Sequence, residues 1–150
     1  MTPALPAEAE VGMRLPELTE HRVTRTLLAL FAGASGDHNP VHIDSDAARA
    51  AGLDDVIAHG MLSMALLGRL LTAWVPVEDL LSFRVRFSAP TPVHARLRCT
   101  AVVKSVEEAT GADGAGRRAR LSVAVRIVDG PLTVRGEAVV RLLRRGGAPA

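Results

Sequence analysis

Apolar and polar positions alternate with a period of two residues along the second half of the chain. Such alternation is typical of strands with one buried and one solvated face, so it predicts four strands of an antiparallel sheet. Arginine and serine occupy most of the alternate positions, and "ATGADGAG" and "DGP" supply turns. The predicted inward positions are Leu81, Phe83, Val85, Phe87 and Ala89; Val93, Ala95, Leu97, Cys99 and Ala101; Leu121, Val123, Val125 and Ile127; and Leu132, Val134, Ala138, Val140 and Leu142.

The first half of the chain has the apolar period of helices. "HRVTRTLLALFAGASGD" predicts a short strand and then a helix with Thr24 as its N-cap. "DSDAARAAG" predicts a second short helix between an Asp44 cap and Gly52. "HGMLSMALLGRLLTAWVP" is apolar on every side of a helical wheel as far as Pro76, which predicts a helix buried on all sides.

A buried helix and a sheet with one dry face satisfy each other, so we expect an α+β domain in which the sheet wraps around the helix. The 150 residues fit one domain spanning 1–150. The Pro/Ala-rich residues 1–10 and the Gly-rich residues 144–150 are predicted to be flexible.

Composition and charge narrow the class of protein. Apolar residues make up 48% of the chain and aromatic residues 3%, with a formal net charge of +2 and no tyrosine. Scattered basic residues and few aromatic rings argue against a nucleic-acid-binding face. The single cysteine excludes an intrachain disulfide and favours a reducing cytoplasm. Residues 1–10 lack the pattern of a secretory signal, and the longest apolar run is too short and interrupted for a membrane span.

"SGDHNPVHID" concentrates titratable side chains in one short stretch. Pro40 excludes a regular helix here, so the segment is predicted to be an ordered loop between two helices. Asp37 and His42 would then lie close together, as general acid–base chemistry requires. The structural alternative is that Asp and Asn before a proline only form a turn or cap a helix. His38 and His42 have a metal-pair spacing only on a helix, which Pro40 denies, so we predict no metal.

"IAHGML" places His59 and Gly60 at the start of the apolar helix. The first N–H groups of a helix have no partner within it, and the helix dipole favours negative charge there. Because Gly60 has no side chain, a ligand oxygen could approach its N–H, as in an oxyanion hole. The alternative is that Gly60 only permits a tight start to the helix, with His59 as its cap.

Together with "AGLDDVIAHGML", "FSAPTPVHARL" and "GEAVVRLL", the "SGDHNPVHID" stretch resembles the MaoC-like (R)-specific enoyl-CoA hydratases and 3-hydroxyacyl-thioester dehydratases, over roughly Leu18 to Leu143. The resemblance implies the hot-dog fold and reversible hydration of trans-2-enoyl thioesters to (R)-3-hydroxyacyl thioesters. It implies no cofactor, a thioester of CoA or acyl-carrier protein as substrate, and a homodimer, with a heterodimer as the alternative. No nucleic-acid or membrane partner is expected.

In this resemblance Asp37 and His42 match the catalytic carboxylate and imidazole, and Gly60 matches the backbone donor to the thioester carbonyl. Asn39 matches the position that braces the loop. We assign a substrate-binding role to a further set, which is Asn39, His59, Met61 and Leu62.

The sequence also departs from the family pattern. A serine further along the helix in characterised relatives falls on Gly68 here, with Ser63 earlier in the same helix, so a hydroxyl role is not assigned. His94 stands where relatives often have glycine, and we interpret it as a surface or interface residue. Two other functions remain open: a non-catalytic accessory subunit of a heterodimeric dehydratase, and a hot-dog thioesterase.

Overall fold

The computed structural model describes residues 9–109 and 116–142. Five strands and three α-helices follow one another in the described chain, with two short 3-10 turns. Their bounds are β1 (Leu18–Arg22), α1 (Arg25–Ser35), a 3-10 turn (Pro40–His42), α2 (Ser45–Ala50), α3 (Gly60–Thr72), a second 3-10 turn (Val77–Asp79), β2 (Leu80–Phe87), β3 (Arg96–Ala109), β4 (Gly116–Ile127) and β5 (Leu132–Leu142).

The predicted helix caps are confirmed. The Thr24 hydroxyl accepts the Leu27 N–H at 3.0 Å and begins α1, and the Asp44 carboxylate accepts two N–H groups in the first turn of α2. Gly36 ends α1 with φ +74°, a left-handed conformation that glycine adopts without strain. These caps fix where α1 and α2 begin, and therefore where the loop between them lies.

The sheet is antiparallel, with the strand order β1-β3-β4-β5-β2. The alternation predicted for β3, β4 and β5 is confirmed, because most of their inward side chains are 2% exposed or less. This buried set is Leu97, Cys99, Ala101, Leu121, Val123, Val125, Val134, Ala138, Val140 and Leu142. β1 lies where a short strand is predicted before α1, and it joins the sheet as a fifth strand beside the four that the alternation predicts.

The prediction of a uniformly dry face fails at β2. Leu81 is 37% exposed and Phe87 is 50% exposed, although both belong to the predicted inward set. Among the described strands, β2 lies at the edge of the sheet and pairs only with β5, and its register shifts between Leu80 and Ser82. An edge strand has neighbours on one side only, so alternation in the sequence does not ensure burial there.

The prediction that the apolar helix is buried on all sides is also wrong. α3 packs one side on β2, β3 and β4 through Leu62, Leu66, Leu67, Leu70 and Leu71. Met61, on the opposite side, is 55% exposed, and Ala65 and Arg69 are exposed as well. One sheet covers one side of a helix, and the sequence of the helix does not reveal how many elements pack against it.

Ala9 is only 1% exposed, so the chain is already packed within the segment 1–10 that we predict to be flexible. Residues 1–8 and 143–150 lie outside the described residues, as does most of the turn "ATGADGAG". In the described part of the chain, no helix is long and apolar enough to cross a membrane.

Candidate active site

Successive side chain to backbone hydrogen bonds order the loop between α1 and α2. The Ser35 hydroxyl accepts the Asp37 N–H, Asp37 Oδ1 accepts the Asn39 N–H, and Asn39 Oδ1 accepts the Val41 N–H, each at 3.3 Å. Each contact spans two residues, as in Asx turns, and the last one begins the 3-10 turn that contains His42. The predicted ordered loop is therefore present.

Asp37 and His42 face each other across this loop. His42 Nε2 lies 3.9 Å from Asp37 Oδ2, and the carboxylate is much the more exposed of the two side chains. His42 Nδ1 lies 2.8 Å from the Ile57 carbonyl oxygen. Because a carbonyl only accepts, Nδ1 carries the hydrogen, and in the neutral ring the lone pair is on Nε2, towards Asp37. Two acceptors thus face a gap in which one water could donate to both.

Gly60 is the first residue of α3 and lines the same cavity as Asp37 and His42. Its N–H makes no hydrogen bond within residues 9–109 and 116–142. The cavity has a volume of about 540 Å³. The remaining lining residues are Ile57, Ala58, Met61, Ser63, Phe87, Ser88, Ala89, Pro90, Thr91 and Val134. The three residues matched to the family's catalytic positions are therefore brought together.

The end of β2 and the chain that follows it, residues 87–91, form a cavity wall that the sequence argument did not assign. The Phe87 ring lies against Gly60, since a Cβ built on Gly60 would be 3.0 Å from a ring carbon of Phe87. The Ala58 N–H donates to the Thr91 carbonyl at 2.8 Å and fastens the wall to the segment before α3. The clue in the sequence was "FSAPTP", whose two prolines follow the end of β2 and do not continue a strand.

Ser63 is a second residue that the sequence argument left without a role. It is 1% exposed and lines the cavity one turn into α3. The signal available was a hydroxyl in the first turn of a largely apolar helix. Gly68, which the family resemblance matches to a serine, is not among the lining residues.

Of the four predicted substrate-binding residues, one lines the cavity and three do not. Met61 lines the cavity. Leu62 does not, because it is about 100° further round the helix, and it is buried in the core at 5% exposure. His59 does not line it either and makes no capping hydrogen bond. The Asn39 carboxamide oxygen accepts a hydrogen bond from the Val41 N–H, as expected for a residue that braces the loop.

An ion pair outside the cavity fastens the elements that carry the loop. Arg25, at the start of α1, lies 2.5 Å from Asp55, and Ser45, at the start of α2, donates to the same carboxylate at 3.0 Å. The Arg25 hydrogen bond and the Val56 N–H hold the pKa of Asp55 well below its usual range. This network ties both helices to the segment that leads to α3.

Asp37, His42 and His59 also offer ligand-type atoms within 4.8 Å of one another. The two imidazole rings are stacked, with centroids 3.9 Å apart and planes inclined by 31°. Lone pairs lie in the ring planes, so two rings that overlap face to face are poorly placed to bind one ion at about 2 Å. The geometry suits proton transfer better than metal binding.

A five-stranded antiparallel sheet with a helix along one face, and an acid–imidazole loop at the start of that helix, places the protein in the hot-dog class of hydratases and dehydratases. The family model for the MaoC like domain matches residues 7–123, and the chain belongs to this family.

Individual proteins agree with this assignment. The chain is 37% identical over 106 residues to 3-hydroxyacyl-thioester dehydratase Z of Mycobacterium tuberculosis, covering 67% of this chain and 70% of that protein. The solved structure of the (R)-hydratase from A. caviae involved in PHA biosynthesis has a TM-score of 0.78 and 30% identity, over 90% of this chain and 98% of that one. A chain of the ChsH1-ChsH2 complex from M. tuberculosis has a TM-score of 0.77 at 23% identity, over 91% of this chain and 100% of that one, which bears on the fold alone.

Proposed function

We propose that the protein catalyses the reversible hydration of trans-2-enoyl thioesters to (R)-3-hydroxyacyl thioesters. The observation that carries the proposal is the convergence of Asp37, His42 and Gly60 on one cavity, with the Asp37–His42 gap beside the first residue of α3. The names of the dehydratase and hydratase to which the chain is similar support the substrate class.

In the proposed reaction, one water lies between Asp37 and His42. His42 Nε2 takes a proton from it while the oxygen adds to C3, and the Asp37 carboxylate orients the water through its second hydrogen. The thioester oxygen becomes negative, and the Gly60 N–H and the dipole of α3 stabilise it. The imidazolium then returns its proton to C2. Because the reaction neither oxidises nor reduces the substrate, it requires no electron carrier.

The exposed side of α3 and the edge of β2 that no described strand covers support a homodimer as the working assembly. Mass measurement in solution checks this, and a strictly monomeric protein would contradict it. A heterodimer with a related chain stays the alternative. CoA or acyl-carrier protein as carrier, and a cytoplasmic location, stay predictions.

The test is the hydration of crotonyl-CoA, followed as loss of enoyl-thioester absorbance. We expect wild type to be active and Asp37→Asn and His42→Gln to lose at least about 10²-fold in kcat, the usual scale for removing a general acid or base. His38→Gln is the matched control, because His38 is exposed in the same loop and does not line the cavity.

Three outcomes would overturn the proposal. Full activity in folded Asp37→Asn or His42→Gln would remove the assigned roles. Release of free thiol in place of hydration would make the protein a thioesterase. Inactive wild type on both carriers, in a chain that binds a related active subunit, would make it an accessory subunit.

A further inference from the structure

His59 is buried behind the two residues to which we assign proton transfer. It is 1% exposed, and its Nε2 lies 3.0 Å from the Asp37 carbonyl oxygen. A carbonyl can only accept, so Nε2 carries a hydrogen and donates it to the backbone of Asp37. The contact joins the start of α3 to the loop across 22 positions of sequence.

The other ring nitrogen has no partner. His59 Nδ1 is the single side-chain nitrogen or oxygen among residues 9–109 and 116–142 that is buried without a hydrogen bond. Leaving a buried polar atom unpaired is unfavourable, and a phenyl ring would fill similar space without it. Packing alone therefore does not explain why an imidazole is present. What distinguishes it from a phenyl ring is the Nε2–H that donates to Asp37.

The face of the same ring supports His42. The ring centroids of His42 and His59 are 3.9 Å apart. The Phe31 ring, on α1, also packs against His59, with 5.0 Å between the two centroids. The Ile57 carbonyl holds His42 by its edge, so the ring is fixed by an edge contact and a face contact. His59 therefore touches both partners, Asp37 through its backbone and His42 through its ring.

We infer that His59 is a positioning residue, which holds Asp37 and His42 at the separation that admits one water. The inference rests on the proposed function for its kinetic effect, but not for its structural effect. It replaces the substrate-binding role predicted from the sequence, since His59 does not line the cavity.

Three substitutions separate the donor from the ring. His59→Phe keeps an aromatic face and removes the donor to Asp37. His59→Gln places an amide N–H2 near the position of Nε2, whereas His59→Asn is too short to reach it. We expect His59→Phe and His59→Asn to lose roughly 10²-fold in kcat with little change in KM, the scale of a misplacement of about 1 Å. His59→Gln should recover most of that loss.

A spectroscopic readout keeps the inference separate from activity. In side-chain ¹⁵N spectra of histidine-labelled protein, wild-type His42 should show the Nδ1–H form, and His59→Phe should shift the His42 signals while His38 and His94 signals stay in place. If His59→Phe and His59→Gln have equal kcat and leave His42 unshifted, the inference is wrong. If wild type hydrates no thioester yet His42 shifts as expected, only the proposed function fails. If His59→Phe does not fold, the comparison of His59→Gln with His59→Asn decides.

Discussion

Gly136 of β5 lies so close to Arg84 of β2 that a Cβ at position 136 would stand 2.1 Å from the Arg84 carbonyl oxygen. The same Cβ would be 2.9 Å from the Cα of Val85, the residue paired with Gly136 across the two strands. Both contacts are with backbone, which cannot rotate away. Because β5 is the one described strand with which β2 pairs, the attachment of this edge strand depends on the absence of a side chain at position 136.

We therefore expect Gly136→Ala to lower the free energy of unfolding by about 3 kcal/mol or more, among the larger effects of single substitutions. Urea denaturation measures it. Gly33→Ala is the control, since position 33 is exposed within α1 and a Cβ there meets nothing within 4 Å. That control should gain up to ~1 kcal/mol from helix propensity. Equal stability of the two variants would show that the strands can separate without loss.

Gly60→Ala tests the close approach at the start of α3. The added Cβ would stand 3.0–3.2 Å from three carbons of the Phe87 ring, so the ring must move by a few tenths of an ångström. We expect kcat/KM to fall roughly tenfold, less than for a misplacement of a full ångström, with the melting temperature nearly unchanged. Gly60→Ala combined with Phe87→Leu should recover part of the loss relative to Phe87→Leu alone. No recovery would mean that the ring is not the obstacle.

His94 occupies a backbone conformation that suits glycine. It has φ +69° in the turn Pro92–Ala95, and its N–H donates to the Val23 carbonyl, which holds the turn in place. We expect His94→Gly to raise the free energy of unfolding by up to ~1 kcal/mol by relieving left-handed strain. His94→Ala keeps the Cβ and should bring no gain. If both variants raise the free energy of unfolding equally, the gain comes from removing the imidazole and not from relaxing the backbone.

Acid should remove the contribution of Asp55. Its pKa in the folded protein is lowered, mainly by the hydrogen bond from Arg25. A lowered folded pKa stabilises the protein above the pKa of the unfolded chain, near 4, and this stabilisation is lost as the pH falls towards the folded value. The difference in unfolding free energy between wild type and Asp55→Asn should thus be constant near neutrality and shrink below about pH 4. A difference independent of pH would exclude the ion pair as its source.

Cys99 should not react with thiol reagents in the folded protein. It is fully buried on β3, and burial raises its pKa to about 12, so almost no thiolate is present at neutral pH. A chromogenic disulfide reagent should report no thiol in native protein and one per chain in denaturant, because the sequence has one cysteine. Rapid labelling of native protein would mean that β3 opens locally.

The sequence predicts much of the fold where one residue decides the local structure. Thr24 and Asp44 cap helices through their own side chains, and β3 to β5 have neighbours that bury most of their inward positions. The exposure of Leu81 and Phe87 depends on how many strands lie beside β2, which is a property of the assembled sheet. The alternation of apolar and polar residues does not reveal how many strands will lie beside a given strand.

The candidate site shows the same division. Asp37 and His42 could be placed together because they share one loop that a proline keeps out of helical geometry. Met61 and Leu62 could not be told apart, since the direction in which each points depends on how α3 is rotated on the sheet. The tautomer of His42 and the partner of His59 depend on carbonyls 15 and 22 residues away, so no local pattern reveals them.

The Ile57 carbonyl that holds His42 belongs to a segment paired with the cavity wall. Ile57 forms a bridge with Pro92, Ala58 donates to Thr91, and Val93 donates to Val56. The imidazole and the wall are thus parts of one mechanical unit, although 45 positions of sequence separate His42 from Phe87. Protein engineers who exchange residues 87–92 to admit a different acyl group should transplant 56–58 with them, so that the reacting ring keeps its alignment.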